Sequence, residues 1–209
     1  MERLVKMKKQ NFDKSDELLK AALEEFSTNS YEDASLNKII KNAGISKGTF
    51  YYYFQDKKDL YIYLLEQSVK AKWDFINERI KDVNDLDNNG DIFETFKLQA
   101  RIGLEFARKY PKYHMLGKMF SKEKGKEIYE AAKDVLSRES DDLLEAMISR
   151  AIEKGELRKD LPKEFIHRII SYLFSNFDEI FNTDEDLELE KVIENLDYYV
   201  SFMKYGLGS

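Results

Sequence analysis

Only two prolines, Pro111 and Pro162, occur in 209 residues, and along the whole chain apolar side chains recur at three- and four-residue spacing instead of alternating. That pattern predicts an all-α protein. The nine glycines are widely separated, and two of them, Gly44 and Gly155, stand where apolar periodicity stops. A first helix is expected over 13–27, burying Leu18, Leu19, Ala22 and Phe26. Ser35 is a natural N-cap for a second, with Leu36, Ile39, Ile40 and Ala43 inward and Gly44 as its stop. A third covers 46–54. Asp56, with Asp59 three residues on, starts a long fourth helix to about 83 along a seam of Leu60, Leu64, Val69, Trp73, Ile76, Ile80 and Val83. Further helices are expected over 91–109, 112–121, 124–154 with a bend near Ser137, 162–181 and 187–205. The division expected is a small unit over 1–56 and a larger helical one over 57–209.

Composition closes off several kinds of chemistry. With no cysteine there is no disulfide, thiol nucleophile, iron–sulfur cluster or cysteine-bound zinc. No run approaches the roughly 20 apolar residues of a membrane-spanning helix, and the basic start of the chain leads into no apolar block of the kind a secretory signal needs. A cytoplasmic protein without membrane attachment is expected. The net charge of −6 is unevenly spread. Arg3, Lys6, Lys8 and Lys9 make the first eleven residues basic, residues 12–35 are acidic, and 36–58 set Lys38, Lys41, Lys47, Lys57 and Lys58 against Asp56 alone. Phosphate neutralisation needs positive charge of this kind, although a basic cluster is also an ordinary solvated face.

The stretch Ser35 to Lys57 places two short helices on either side of a glycine turn, the second crowded with groups that grip a nucleic-acid backbone. At 100° per residue, Lys47, Gly48, Tyr51 and Tyr52 share an arc of about 140°, offset from Phe50 and Phe54. One side anchors while the other reads. Ile45, Phe50 and Phe54 are expected to pack on Phe26, Ile39 and Ile40. Unpaired N–H groups at the helix start near Ser46 favour a phosphate, as does Ser35 one helix earlier. Thr49, Tyr51 and Lys57 can donate to backbone oxygens, leaving Lys47 and Tyr52 for base edges and Gly48 for close approach to the groove. Tyr51–Tyr53 could instead be core, but three successive tyrosines on a helix cannot all face inward.

Leu18-x-x-x-Ala22-x-x-x-Phe26, Ser35-x-x-x-Ile39, the run from Ala43 through Phe54, and Lys57-x-Asp59-Leu60 together resemble the tetracycline-repressor (TetR) family. That resemblance covers about 13–60. It implies backbone contacts from Ser35, Thr49, Tyr51 and Lys57 and groove contacts from Lys47, Gly48 and Tyr52. It further implies a homodimer on a palindromic double-stranded operator, and DNA release when a small molecule enters the second domain, with no cofactor. Ser30 and Ile40 depart from the glycine and alanine common in the family, which implies a slightly shifted first turn and first-to-second helix packing.

In the second domain the helix expected over 162–181 carries two apolar stripes, Phe165-Ile169-Leu173-Phe177-Ile180 and Ile166-Ile170-Phe174-Phe181. The last helix has a seam of Val192, Ile193, Leu196, Tyr199, Val200 and Met203. Such helices need cover on two sides, either within one subunit or with one stripe against a second copy; the resemblance implies the second copy, through the last two helices. It also implies an effector cavity, for which Trp73, Phe96, Met115, Met119, Met147 and Tyr172 are candidate walls and Arg101, His114 and Arg150 candidate polar anchors. Each of these is equally at home in an ordinary core. Methionines and aromatics would suit a lipophilic ligand.

Asp85 to Ile92 begins like a calcium loop, but Phe96 stands where the closing glutamate belongs. His114 and His167 are far apart in sequence and offer no zinc pattern, and adjacent acids such as Asp141 and Asp142 point in different directions on a helix. Two other readings remain at this stage: a helical carrier or enzyme whose first unit is only structural, and a DNA-binding protein that answers to no ligand.

Overall fold

The computed structural model describes residues 14–82, 91–176 and 189–207. Every regular element it shows there longer than an isolated bridge is a helix, as the spacing requires: α1 (Ser15–Phe26), α2 (Leu36–Asn42), α3 (Lys47–Tyr53), α4 (Lys57–Asp82), α5 (Ile92–Lys109), α6 (Pro111–Lys122), α7 (Glu127–Lys154), α8 (Lys163–Ser175) and α9 (Leu189–Leu207). The basic arm at Arg3–Lys9, most of the calcium-like loop, and Phe177, Ile180 and Phe181 lie outside the described residues. No described helix is long and apolar enough to cross a membrane.

Local chemistry sets the boundaries. Gly44 has φ +63° and Gly155 φ +76°, the left-handed geometry that ends a helix at little cost only for glycine. Pro111 occupies the first turn of α6, where the missing N–H leaves nothing unpaired. At the start of α4, Asp56 Oδ1 accepts the Asp59 N–H at 2.8 Å while Asp59 Oδ2 accepts the Gln55 N–H at 2.9 Å, a reciprocal cap. Asp91, in the calcium-like stretch, caps α5 instead: Oδ1 accepts the Glu94 N–H at 2.9 Å and Oδ2 pairs with Lys204 at 2.7 Å. Phe96 is buried in an apolar cluster.

The chain divides into two compact units, Met1–Trp73 with Phe106–Leu136, and Asp74–Glu105 with Ser137–Ser209. The first is built around Leu18, Ala22, Phe26, Ile39, Ile40, Phe50, Phe54, Leu60, Tyr61 and Leu64, joined by Leu116 of α6 and Ile128 and Ala132 of α7. It therefore takes in more than the head expected over 1–56. The second gathers Ile92, Phe93 and Phe96 with Ile148, Ala151, Leu157, Ile166, Ile170, Leu196, Tyr199, Val200 and Met203. Ile166 and Ile170 of α8 face this core, while Phe165, on the other stripe, is 48% exposed.

Candidate nucleic-acid interface

Helices α2 and α3 have seven residues each, too short to persist alone, so caps and one buried face must hold them. Ser35 Oγ accepts the Lys38 N–H at 3.3 Å. Ser46 Oγ accepts the Thr49 N–H at 3.0 Å and lies 2.8 Å from Thr49 Oγ1, so the two hydroxyls share a proton contact at the start of α3. On the inner face Phe50 and Phe54 are fully buried, their rings stacked with centroids 5.8 Å apart, and Ile45 packs at the edge of the same cluster. On the outer face Lys47, Gly48, Tyr51 and Tyr52 are exposed together, the two tyrosines by 57% and 54%. Tyr53 is half-buried. The arc drawn from helical spacing is thus the solvent face of α3.

Gly48 asks for a reason beyond the fold. A Cβ there would meet nothing nearer than Ser46 Oγ at 3.7 Å, an ordinary contact, and its backbone is not left-handed. Among the described residues nothing requires glycine there, and the missing side chain leaves the backbone open to close approach.

Lys57, expected at the DNA backbone, makes its contacts inside the head in this structure. Its Nζ donates to the carbonyls of Tyr31 at 2.7 Å, Glu32 at 3.2 Å and Ala34 at 3.0 Å, and sits 4.5 Å above the Tyr31 ring. Three ammonium protons meet three carbonyls, the full donor capacity of a lysine. Those carbonyls belong to the non-helical link between α1 and α2, where no ladder satisfies them. Lys57 closes that link, so its charge is committed within the head.

Two carboxylates complete the frame. Glu25, buried near the end of α1, accepts the Ser35 N–H at 3.0 Å and pairs with Lys38 Nζ at 2.7 Å. Burial by itself would raise its carboxyl, but the Lys38 hydrogen bond, the Ser35 N–H and the Lys38 charge outweigh that and hold it below the ordinary value of 4.5. Glu123, in the turn after α6 and 1% exposed, accepts the Tyr31 N–H at 2.8 Å and pairs with Lys126 at 2.6 Å. Sequence reasoning missed both: each is one acid in a polar stretch, with nothing local to mark it as buried. The departure at Ser30 is accommodated by its own hydroxyl, which donates to Asp33 Oδ2 at 2.6 Å and accepts the Asp33 N–H at 3.2 Å; Ile40 is in the core.

The candidate effector residues are split between the two units: Trp73, His114, Met115 and Met119 in the first, Phe96, Arg101, Met147, Arg150 and Tyr172 in the second. Phe96 is buried, Trp73, His114, Met119 and Met147 are half-buried, and Arg101, Met115, Arg150 and Tyr172 are exposed. Arg101 lies 3.4 Å from Asp197, which Lys97 also holds at 2.6 Å, and Met147 Sδ lies 3.9 Å from Gln99 Nε2. Among the described residues no three His, Asp or Glu side chains converge as a metal site would require.

A capped helix, a left-handed glycine turn and a second helix with a basic, aromatic outer face, all fixed to a helical body, define a helix-turn-helix DNA-binding regulator. Residues 18–64 match the family described as bacterial regulatory proteins, tetR family, whose members are transcriptional regulators and not enzymes. Along 97% of its length it is 29% identical to the HTH-type transcriptional regulator YvdT of Bacillus subtilis, all of which is covered. A match over 65 residues, 31% of this chain and 33% of the other, is 37% identical to the biofilm operon icaADBC negative transcriptional regulator IcaR of Staphylococcus aureus. The fold is shared with the crystal structure of the transcriptional regulator FadR from Bacillus subtilis in complex with stearoyl-CoA, at TM-score 0.70 and 18% identity over 91% of this chain and 97% of that one.

Proposed function

We propose that this regulator is a cytoplasmic repressor that binds a palindromic operator as a homodimer and leaves it when a small lipophilic effector binds. Residues 1–56 would form the DNA-reading domain and 57–209 the effector-binding and dimerisation domain. The observation that carries the reading face is the joint exposure of Lys47, Gly48, Tyr51 and Tyr52 over a closed core. Lys47 and Tyr52 address base edges, Gly48 admits the groove wall, and Ser35, Ser46, Thr49 and Tyr51 meet phosphates. Lys57 is left out of the contact set because its donors are spent on carbonyls.

Dimerisation is supported by the aromatic surface of the second unit. Phe165 and Tyr172 of α8 and Tyr198, Phe202 and Tyr205 of α9 are all exposed, Phe202 by 70% and Tyr205 by 88%. Large aromatics left in water in this number mark an interface. Repression follows the negative regulator IcaR, and a lipophilic effector follows the FadR–stearoyl-CoA complex and the methionines and aromatics among the candidate lining residues. An effector loosens DNA only if it binds one arrangement of the protein better than the other, and a coupling of about 1–3 kcal/mol is ordinary. The test is a titration of duplex DNA at several salt concentrations with and without stearoyl-CoA. Tight, salt-dependent binding weakened by the acyl-CoA supports the reading; equal binding with and without it removes this effector class.

A further inference from the structure

The link between α1 and α2 is held by residues distant in sequence. Glu123 accepts the Tyr31 N–H at 2.8 Å, and Lys57 donates to the carbonyls of Tyr31, Glu32 and Ala34 at 2.7, 3.2 and 3.0 Å. The Tyr31 ring has the Lys57 ammonium 4.5 Å from its centroid and the Tyr61 ring centroid 5.1 Å away. Within the link, Ala34 N–H bonds to Ser30 O at 3.0 Å, and the next residue is Ser35, which caps α2 and whose own N–H goes to Glu25. Hence the residues that place the start of α2 are anchored to α4 by Lys57 and to the turn after α6 by Glu123.

A carboxylate at 1% exposure among Lys122, Lys124 and Lys126 is expensive unless it is used. Glu123 accepts one backbone N–H from 92 positions earlier and forms an ion pair with the Lys126 ammonium of its own turn. Its turn is part of the segment proposed above to answer the effector, and the link is part of the segment that reads DNA. We propose that Glu123 is a positioning residue for DNA binding: by accepting the Tyr31 N–H while Lys57 holds the carbonyls, it fixes the α1–α2 link and with it the placement of α2 and α3. The proposal rests on the DNA-binding role of the head and not on the effector, so it can fail or stand independently of the ligand.

The sign of one substitution separates this role from plain electrostatics. Removing a negative charge from a DNA-binding unit tightens binding if charge is all that matters, whereas releasing the link loosens it. The experiment uses full-length protein, an operator duplex selected from a random pool by the wild type, and a random duplex of equal length. Glu123→Leu is compared with Ile128→Val and Leu116→Ala, which thin the core against which Tyr31 packs but leave the Glu123–Tyr31 hydrogen bond in place. Glu123→Leu, which removes both the acceptor and the charge, is expected to weaken operator binding about tenfold, as loss of one charged, buried hydrogen bond implies, at a temperature where all variants are folded, and more than either core variant. Lys57→Met is expected to weaken binding with the salt slope unchanged, since a lost phosphate contact would lower that slope by about 1. Amide exchange on the wild type adds a reading that needs no variant: the Tyr31 N–H exchanges slowly. Tighter or unchanged binding by Glu123→Leu, a loss no greater than the core variants show, or a Tyr31 amide exchanging at the rate of an open loop overturns the proposal.

Discussion

At Gly48 the protein leaves room for a methyl group and yet has none. Gly48→Ala removes flexibility from an exposed helical position without a clash, so its melting temperature should equal or exceed that of the wild type by the amount expected for about 0.5–1 kcal/mol. Operator affinity, measured on the same preparation, should nevertheless fall, because the added carbon stands where a groove wall must pass. Equal affinity would mean that this face of α3 does not approach DNA closely. Glu25 shows a different kind of dependence. Its carboxyl is held below 4.5 in the folded head, so the stabilisation it supplies is complete above the unfolded value and drains away as pH falls through the lower folded one. Urea titrations from pH 7 down to about 3 should show the wild type losing more stability over the acid end of that range than Glu25→Gln, which starts less stable at pH 7 and stays flatter. Such residues also mark what the sequence conceals. The outward set on α3 follows from angular arithmetic, because helix geometry links neighbours. Glu25, Lys57 and Glu123 are defined by partners up to 92 positions away, which no local pattern encodes.

Among the elements, those with strong punctuation were legible. Ser35, Gly44, Pro111, Gly155 and Pro162 are boundary residues with a physical reason each, and helix limits fell within a few positions of where they point. What periodicity could not supply was allegiance. Helices α6 and α7 read as parts of a separate second domain, yet Leu116, Ile128 and Ala132 pack with Phe26 and Leu60 in the core of the first unit. An apolar stripe states that a face is covered, not by what. Because α2 and α3 each bury their inner face in one small core, Phe50→Ala should cost about 3–5 kcal/mol and abolish DNA binding together with the cooperative melt of the head, as followed by the near-ultraviolet signal of its tyrosines. Gly44→Ala should cost about 1–2 kcal/mol through its φ of +63°, with Lys14 Nζ, 3.3 Å from the new carbon and bonded to the Gly44 carbonyl at 2.7 Å, forced to shift. Either variant retaining full stability would remove the structural basis given for the turn.

For the whole molecule, the account requires two heads held at a fixed separation. The exposed aromatics of α8 and α9 are the surface assigned to that task, so Phe202→Glu combined with Tyr205→Glu should yield a monomer in sedimentation equilibrium whose operator affinity drops far more than its affinity for random duplex. A double variant that stays dimeric would place the interface elsewhere. The central claim, that a pair of α3 helices reads sequence through Lys47, Gly48 and Tyr52, is tested most directly by enriching duplexes from a random pool with full-length wild type and with Tyr52→Ala in parallel. The account predicts an inverted repeat from the wild type, its half-sites centred about one duplex turn apart or a multiple of it, and from Tyr52→Ala a repeat of the same spacing with relaxed preference at one position in each half-site. An enriched sequence lacking symmetry, or an identical sequence from both proteins, would contradict it.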